Sequence, residues 1–235
     1  MAPGEYQTLQ VEAPAVPKNE MRQAAAWQVR DLIDFPLDQA VIDTYDPPES
    51  TQRAQHHVNV VVAQRSAVAE RVDELRGAGL EIIAIDIPEL VQRNICARLP
   101  GGRGGHALLA LDEASGLLTL FRDGEQFLAR TLEIGVDQLA HEGADAVDTL
   151  VLEVQRSFDY FESALSQPPL TALYVYPGVD TIVELVESLQ ANLANVQCRP
   201  VALEDLVSLD GDPVHDGAGL LHAVGAGLRG PVPGG

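Results

Sequence analysis

The chain has 235 residues and a formal net charge of −20, from 35 acidic and 15 basic side chains. That charge argues against general nucleic-acid binding, which needs clustered cations, and against charge-driven docking on anionic lipid. The two cysteines favour free thiols in a reducing compartment, and no apolar run reaches the ~20 residues of a membrane span. We therefore expect a cytoplasmic protein that binds no nucleic acid and does not insert directly into a membrane.

The first 80 residues predict a compact α/β unit. Strands are predicted at residues 6–12, 40–45 and 58–63, and helices at residues 20–33 and 67–76. Asn19 and Ser66 are the expected N-caps of the two helices. The third strand is nearly all apolar, which predicts burial on both of its faces.

The only tryptophan lies off the apolar stripe of its own helix. That stripe consists of Met21, Ala25, Val29 and Leu32. Trp27 and Asp31 fall on another side of the helix, one turn apart. Trp27 should either pack on a second neighbouring element or anchor a partner, a role in which tryptophan is enriched. Trp27 and Asp31 are therefore candidate partner-binding residues.

A glycine-rich break marks the best domain boundary. Residues 80–86 predict another strand, and a helix should run from Pro88 to about Arg98. Residues 100–105 then form a flexible Pro/Gly stretch. We therefore expect a first domain at 1–104, which contains a small inserted α/β unit at about 6–80, and a second domain at 105–229. Residues 230–235 would be a flexible tail.

The second half predicts a meander of three strands and then a long helix. The strands are expected at residues 106–111, 116–121 and 126–133, joined by short turns. The helix should be capped by Asp145 and carry an apolar stripe from Val147 to Phe161. A strand at 170–176, a helix starting at Asp180 or Thr181, a strand at 196–199 and a helix at 217–229 should follow. This order is typical of the second domain of actin-like and ribonuclease-H-like folds.

Four motifs resemble the PilM family, the actin-like proteins of type IV pilus assembly. Residues 153–161 are similar to its E-x-x-R-S-hydrophobic-x-F-F stretch, and residues 219–229 look like its closing A-x-G-L-A-L-R helix. Gly79-Leu80, followed by residues 85–90, resembles its A-G-L…V-D-V-E-x-hydrophobic step. Residues 17–46 are closer still to the MshI branch, which serves mannose-sensitive-haemagglutinin (MSHA) pili.

This resemblance runs from about Tyr6 to Arg229 and implies both a fold and a partner. The implied fold is an α/β actin-like ATPase fold, N-terminally truncated, with a second-domain insert reduced to about residues 140–143. The implied partner is the cytosolic N-terminal tail of a bitopic inner-membrane pilus assembly protein similar to PilN or MshJ. The chain would then be peripheral to the inner membrane through that partner.

Departures from the family pattern fall where a nucleotide would bind. Actin-like ATPases hold phosphates with D-x-G hairpins, and the first of these is missing here. In the second hairpin Asp112 is followed by Glu113 and Ala114, so the glycine that lets backbone N–H groups approach phosphate is lost. The adenosine loop carries Pro177 before Gly178, which removes one N–H donor. These losses predict a protein without ATP hydrolysis, without a cofactor and without catalytic residues or a metal site.

Two functions remain as hypotheses. The first is a non-catalytic scaffold of MSHA-type pilus biogenesis that binds the cytosolic tail of its membrane partner. The alternative is an ATP-binding protein in which Asp112, Gly178 and Gly225 retain ATP with magnesium, so that nucleotide state regulates pilus assembly. A third possibility is that the chain is a fragment of a longer protein, with an unpaired sheet edge that could form a homodimer.

Overall fold

The computed structural model describes residues 1, 4–48, 56–100, 105–176, 180–203, 206–208 and 217–230. The chain divides into two compact units, Met1–Pro88 and Glu89–Gly235. Each unit has its own sheet and its own hydrophobic core. The predicted domain division at 104/105 stays a prediction, and the glycine-rich residues 101–104 on which it depends lie outside the described residues.

The first unit contains the predicted strand, helix, strand, strand, helix series. Its elements are β1 (Tyr6–Glu12), α1 (Lys18–Val29), β2 (Ala40–Tyr45), β3 (His57–Gln64) and α2 (Arg65–Gly77). The strands form an antiparallel sheet in the order β1-β3-β2, so β3 is central and both neighbours are edges.

The core of this unit lies between β3 and α1. Val58, Val60 and Val62 alternate along β3 and are buried, as are Ala25 and Val29 of α1. The expectation that β3 is buried on both faces is wrong, because the intervening residues of the strand are only half-buried. One helix covers one face of a three-stranded sheet, so only one row of valines is fully removed from water.

Three local predictions in the first unit are also wrong. The helix expected at 20–33 ends as α-helix at Val29, and a 3₁₀ turn at Arg30–Leu32 follows it. The N-cap residues are Pro17 and Gln64, not Asn19 and Ser66, which lie one or two residues inside their helices. Residues 80–86 form no strand, because neither sheet offers them a partner, and strand propensity is expressed only through pairing.

The second unit is a five-stranded sheet covered by helices. Its elements are α3 (Pro88–Cys96, whose first residue groups with the first unit), β4 (His106–Leu111), β5 (Gly116–Arg122), β6 (Glu125–Leu132), α4 (Val136–Glu142), α5 (Ala144–Ser163), β7 (Ala172–Tyr176), α6 (Asp180–Asn192), β8 (Gln197–Pro200) and α7 (Gly217–Gly227). The strand order is β6-β5-β4-β7-β8. β4 pairs antiparallel with β5 and parallel with β7, so it joins the meander to the α/β half.

The predicted long helix is confirmed as α5. Its buried residues recur with helical spacing and include Leu150, Val154 and Phe161, which pack in the larger core of the unit. The cap prediction is wrong, because Gly143 is the N-cap and Asp145 lies in the first turn. Between β6 and α5 the chain forms only the short helix α4.

The E-x-x-R-S residues fasten α5 to the edge strand β6. Glu153 forms ion pairs with Arg130 of β6 and with Arg156 one turn further along α5. Ser157 donates a hydrogen bond to the Glu153 carbonyl at 2.8 Å and accepts one from Arg130 at 3.4 Å. The motif therefore has a structural role in this chain.

A second core lies on the other face of the same sheet, where α7 packs closely on α3. A Cβ on Gly225 would lie 2.6 Å from Val91 Cγ1 and 2.8 Å from the Ile95 side chain. The Asn94 side-chain amide donates a hydrogen bond to the Gly225 carbonyl at 3.1 Å. The missing side chain of Gly225 therefore permits this close approach of α7 to α3.

Replacement of Gly225 by valine should destabilise the second unit. We expect a loss of about 1–3 kcal/mol in the free energy of unfolding, because the added methyl groups overpack the contact with α3. The measurement is urea unfolding followed by circular dichroism.

The matched control is Gly227→Ala in the same helix. A Cβ there meets no atom within 4 Å, so this variant should be as stable as the wild type or slightly more stable. Equal stability of Gly225→Val and the wild type would contradict the packing role.

Candidate functional site

The turn between β4 and β5 is the predicted phosphate hairpin. Asp112, Glu113 and Ala114 are exposed there. The Asp112 N–H donates to the Ser115 carbonyl at 2.7 Å, and the Glu113 N–H donates to the Asp112 carboxylate at 3.0 Å. Two backbone donors of the turn are thus already used within it.

The same turn covers the start of helix α4. The N–H groups of Val136 and Asp137 donate to the carbonyls of Asp112 and Glu113 at 2.9 and 3.0 Å. Gly135 permits this contact, because a Cβ on it would lie 2.2 Å from the Glu113 carbonyl oxygen. The turn therefore presents carbonyls to the helix and two acidic side chains to solvent, an arrangement that repels phosphate.

His222 of α7 lies within electrostatic reach of the Asp112 carboxylate. Its Nε2 is buried and has no hydrogen-bond partner among the residues that the structure describes. Burial lowers the pKa of His222 below its usual value of 6.5, and the Asp112 carboxylate partly opposes this by favouring the charged form. The ring is therefore neutral at neutral pH. The sequence includes His222 in the motif at residues 219–229, but nothing in its spacing assigns it a role.

The structure describes two of the three predicted nucleotide residues, and it places those two in different surroundings. Asp112 faces α7 through His222, whereas Gly225, one helical turn further on, is buried against α3. Gly178 lies outside the described residues, as does Pro177 before it. Within the described ranges no group of three or more His, Cys, Asp or Glu side chains could hold a metal ion.

The predicted partner-binding residues lie on the surface of the first unit. Trp27 is 62% exposed, and the Arg30 guanidinium lies over its ring at 5.9 Å from the ring centroid. Arg30 also forms a two-bond ion pair with Asp31, at 2.9 and 3.2 Å, which lowers the pKa of the Asp31 carboxyl. The structure thus brings Trp27 and Asp31 together through Arg30, a residue that the sequence analysis did not select.

Shallow cavities occur away from the Asp112 turn. One of about 430 Å³ runs beside the edge strand β2 in the first unit; it is lined by residues that include Arg22, Leu37 and Arg65. Another, of about 470 Å³, lies in the second unit and is lined by residues that include Tyr174 and Arg199. Neither is lined by Asp112 or Gly225, so neither includes the predicted nucleotide residues that the structure describes.

A chain in the solved structure titled "PilM-PilN type IV pilus biogenesis complex" resembles this protein over most of its length. The TM-score is 0.65 with 24% sequence identity, and the match covers 97% of this chain and 76% of that one. This protein therefore has an actin-like fold. No protein-family model matches the sequence, and no curated protein does.

Two further structures match more loosely. A Bacteroides thetaiotaomicron protein described as having an actin-like ATPase fold has a TM-score of 0.45 and 10% identity, over 80% of this chain and 63% of its own. The cytoplasmic domain of EpsL, from the type II secretion system of Vibrio cholerae, has a TM-score of 0.44 and 12% identity, over 81% of this chain and 72% of its own.

Among the described residues, no helix combines the length and apolar character that crossing a bilayer requires.

Burial of His222 predicts a pH dependence of stability. The unfolded chain binds a proton near pH 6.5, whereas the folded chain resists protonation until a lower pH. The His222 contribution to stability should therefore be fully present above pH 6.5 and should be lost as the pH falls toward the folded pKa.

The measurement compares the wild type with His222→Gln in urea unfolding between pH 7.5 and 5. Taking the difference in unfolding free energy between the two proteins at each pH removes the effect of the many carboxylates that both share. The wild type should lose more stability on acidification than the variant, and parallel pH profiles would contradict the assignment.

Proposed function

We propose that this protein is a non-catalytic scaffold of type IV pilus biogenesis, of the MSHA type, that binds the cytosolic tail of a PilN- or MshJ-like inner-membrane protein. The observation that carries the proposal is the structural likeness to the chain from the PilM–PilN complex over 97% of this sequence. The ordered motifs at residues 17–46, 79–90, 153–161 and 219–229 support the same family. The protein would be cytoplasmic and held at the inner membrane by its partner.

The Asp112 turn supports a function without ATP hydrolysis. Phosphate binding at such a turn needs backbone N–H groups that are free to face the anion. Here the N–H groups of Asp112 and Glu113 already have acceptors, and both side chains add negative charge. Among the described residues, neither carboxylate forms an ion pair with Lys or Arg.

The alternative function is regulation of pilus assembly by bound ATP and magnesium. It is favoured by the actin-like fold and by the position of the Asp112 turn directly after the central strand β4. Asp112 and Gly178 would then contact the nucleotide. Gly225 contributes less to this hypothesis, because its missing side chain is explained by the contact between α7 and α3.

Titration with magnesium and ATP separates the two functions. A site with a dissociation constant of about 10 µM would add about 2.7 kcal/mol of stability at about 1 mM nucleotide. We expect no heat in calorimetry and no rise in melting temperature. A rise of several degrees that disappears in Asp112→Ala would establish the alternative.

The exposed Trp27 is our expected contact for the partner tail. An aromatic ring held by Arg30 is preordered, so its burial in an interface costs little conformational entropy. The double variant Trp27→Ala, Asp31→Ala should weaken tail binding at least roughly tenfold. Binding is measured by calorimetry with the synthetic N-terminal tail of the membrane protein encoded beside this one.

Tyr160→Ala is the matched control, since Tyr160 is a 45% exposed aromatic residue on α5 in the second unit. It should bind the tail as the wild type does. If the double variant also binds normally, the placement at Trp27 is wrong, whereas absence of binding to the wild type would reject the proposed partner.

A further inference from the structure

The segment Leu80–Ile87 has the sequence of a strand, but in the part of the chain that the structure describes no strand pairs with it. It contains five large aliphatic side chains, Leu80, Ile82, Ile83, Ile85 and Ile87. Four of these are isoleucines, which are β-branched and favour sheets. Neither of the two sheets includes the segment.

As far as the described residues go, the backbone of this segment is hydrogen-bonded at its two ends and not between them. The Leu80 N–H donates to the Leu75 carbonyl at 3.1 Å, and the Asp86 carbonyl accepts from the Met1 amino group at 2.9 Å. Across residues 81–85, no backbone N–H or carbonyl is hydrogen-bonded to any described residue. Five consecutive residues therefore keep their main-chain donors and acceptors available.

Exposure along the segment alternates as it does in a strand with one outer face. Glu81, Ile83 and Ile85 are exposed, and the residues between them are half-buried. Ile83 is 82% exposed, far more than an isoleucine in a completed sheet with a covered face. The same segment therefore exposes isoleucine side chains and has main-chain groups that are available for pairing with another strand.

The charge of the region specifies what could bind. From Gly77 to Gln92 the sequence contains Glu81, Asp86 and Glu89 and no Lys or Arg, with Arg76 and Arg93 just outside this range. The positive Met1 amino group lies at the end of the segment, where the Asp86 carbonyl already accepts its hydrogen bond. A second copy of this chain would bring the same negative charges to the contact, on a molecule whose formal charge is already −20. A strand with Lys or Arg would instead be attracted.

We propose that Leu80–Ile87 is an acceptor edge to which a partner protein adds a β-strand, made of aliphatic residues alternating with Lys or Arg. Main-chain hydrogen bonds to residues 81–85 supply the pairing, and the exposed isoleucines set the register against the aliphatic row of the incoming strand. This goes beyond the proposed function, because it specifies an edge and the chemistry of its occupant whatever pathway the partner serves.

The probe is a capped eight-residue peptide of alternating valine and lysine, with a control peptide in which glutamate replaces every lysine. Hydrogen exchange of the full chain should slow at residues 81–85 with the lysine peptide and not with the glutamate peptide. Binding of the lysine peptide without protection of these amides, or no binding at all, would overturn the proposal.

Proline variants test the main-chain requirement. Successive residues of a strand direct their N–H groups to opposite sides, so Ile83→Pro and Ala84→Pro together cover both sides of the segment. Neither change removes a hydrogen bond from the folded chain, and proline fits an extended backbone, so both variants should fold. One of them should weaken peptide binding at least roughly tenfold, while the conservative variant Ile83→Val should bind as the wild type does.

Two further outcomes are decisive against the proposal. Wild-type affinity in both proline variants would show that the main chain of the segment is not used. Sedimentation as a dimer by the wild type, lost in a proline variant, would assign the edge to a second copy of this chain in place of a basic strand.

Discussion

Strand β4 is the constraint on which the second unit depends. All six of its residues are buried, and they alternate between two cores: Leu109 packs with the layer of α5, and Leu108 packs with the layer that contains α3 and α7. The strand also has two different neighbours, antiparallel β5 and parallel β7. After the buried His106 at its start the strand is entirely apolar, because a polar side chain at an inner position would be buried in one of the two cores. The Asp112 turn follows directly from the end of this strand.

The Asp112 turn has a fixed backbone shape and already uses several of its main-chain groups. The hairpin is fixed by the β4–β5 pairing and by its contact with the start of α4, and Gly135 leaves room for that contact. The groups that would receive a phosphate are donors, and those of Asp112 and Glu113 are used inside the turn. The neutral, buried His222 beside it adds no positive charge that could offset the two carboxylates. These contacts are consistent with the proposal that the turn does not bind phosphate.

The sequence predicted most elements because burial imposes a period on the chain. The spacing of three and four residues along α5, the alternating valines of β3 and the apolar run of β4 each correspond to an observed element. The N-cap residues of the helices were predicted wrongly. Asn19, Ser66 and Asp145 have side chains suited to an N-cap, but they lie inside their helices. Where the first turn begins depends on the backbone angles of the preceding residues, which are set by packing. The strand prediction at residues 80–86 was wrong for a related reason, because a strand also requires a second strand beside it.

The amino-acid sequence by itself determined the kinds of elements, their order, and the motifs that resemble the pilus family. It did so because the periods of helices and strands are local properties that each segment carries alone. The tertiary structure alone decided that Trp27 is exposed beside Arg30, that Gly225 is used for packing, and that the main chain of residues 81–85 is not hydrogen-bonded to any described residue. Those outcomes depend on groups far apart in the chain, and only folding determines which of them meet.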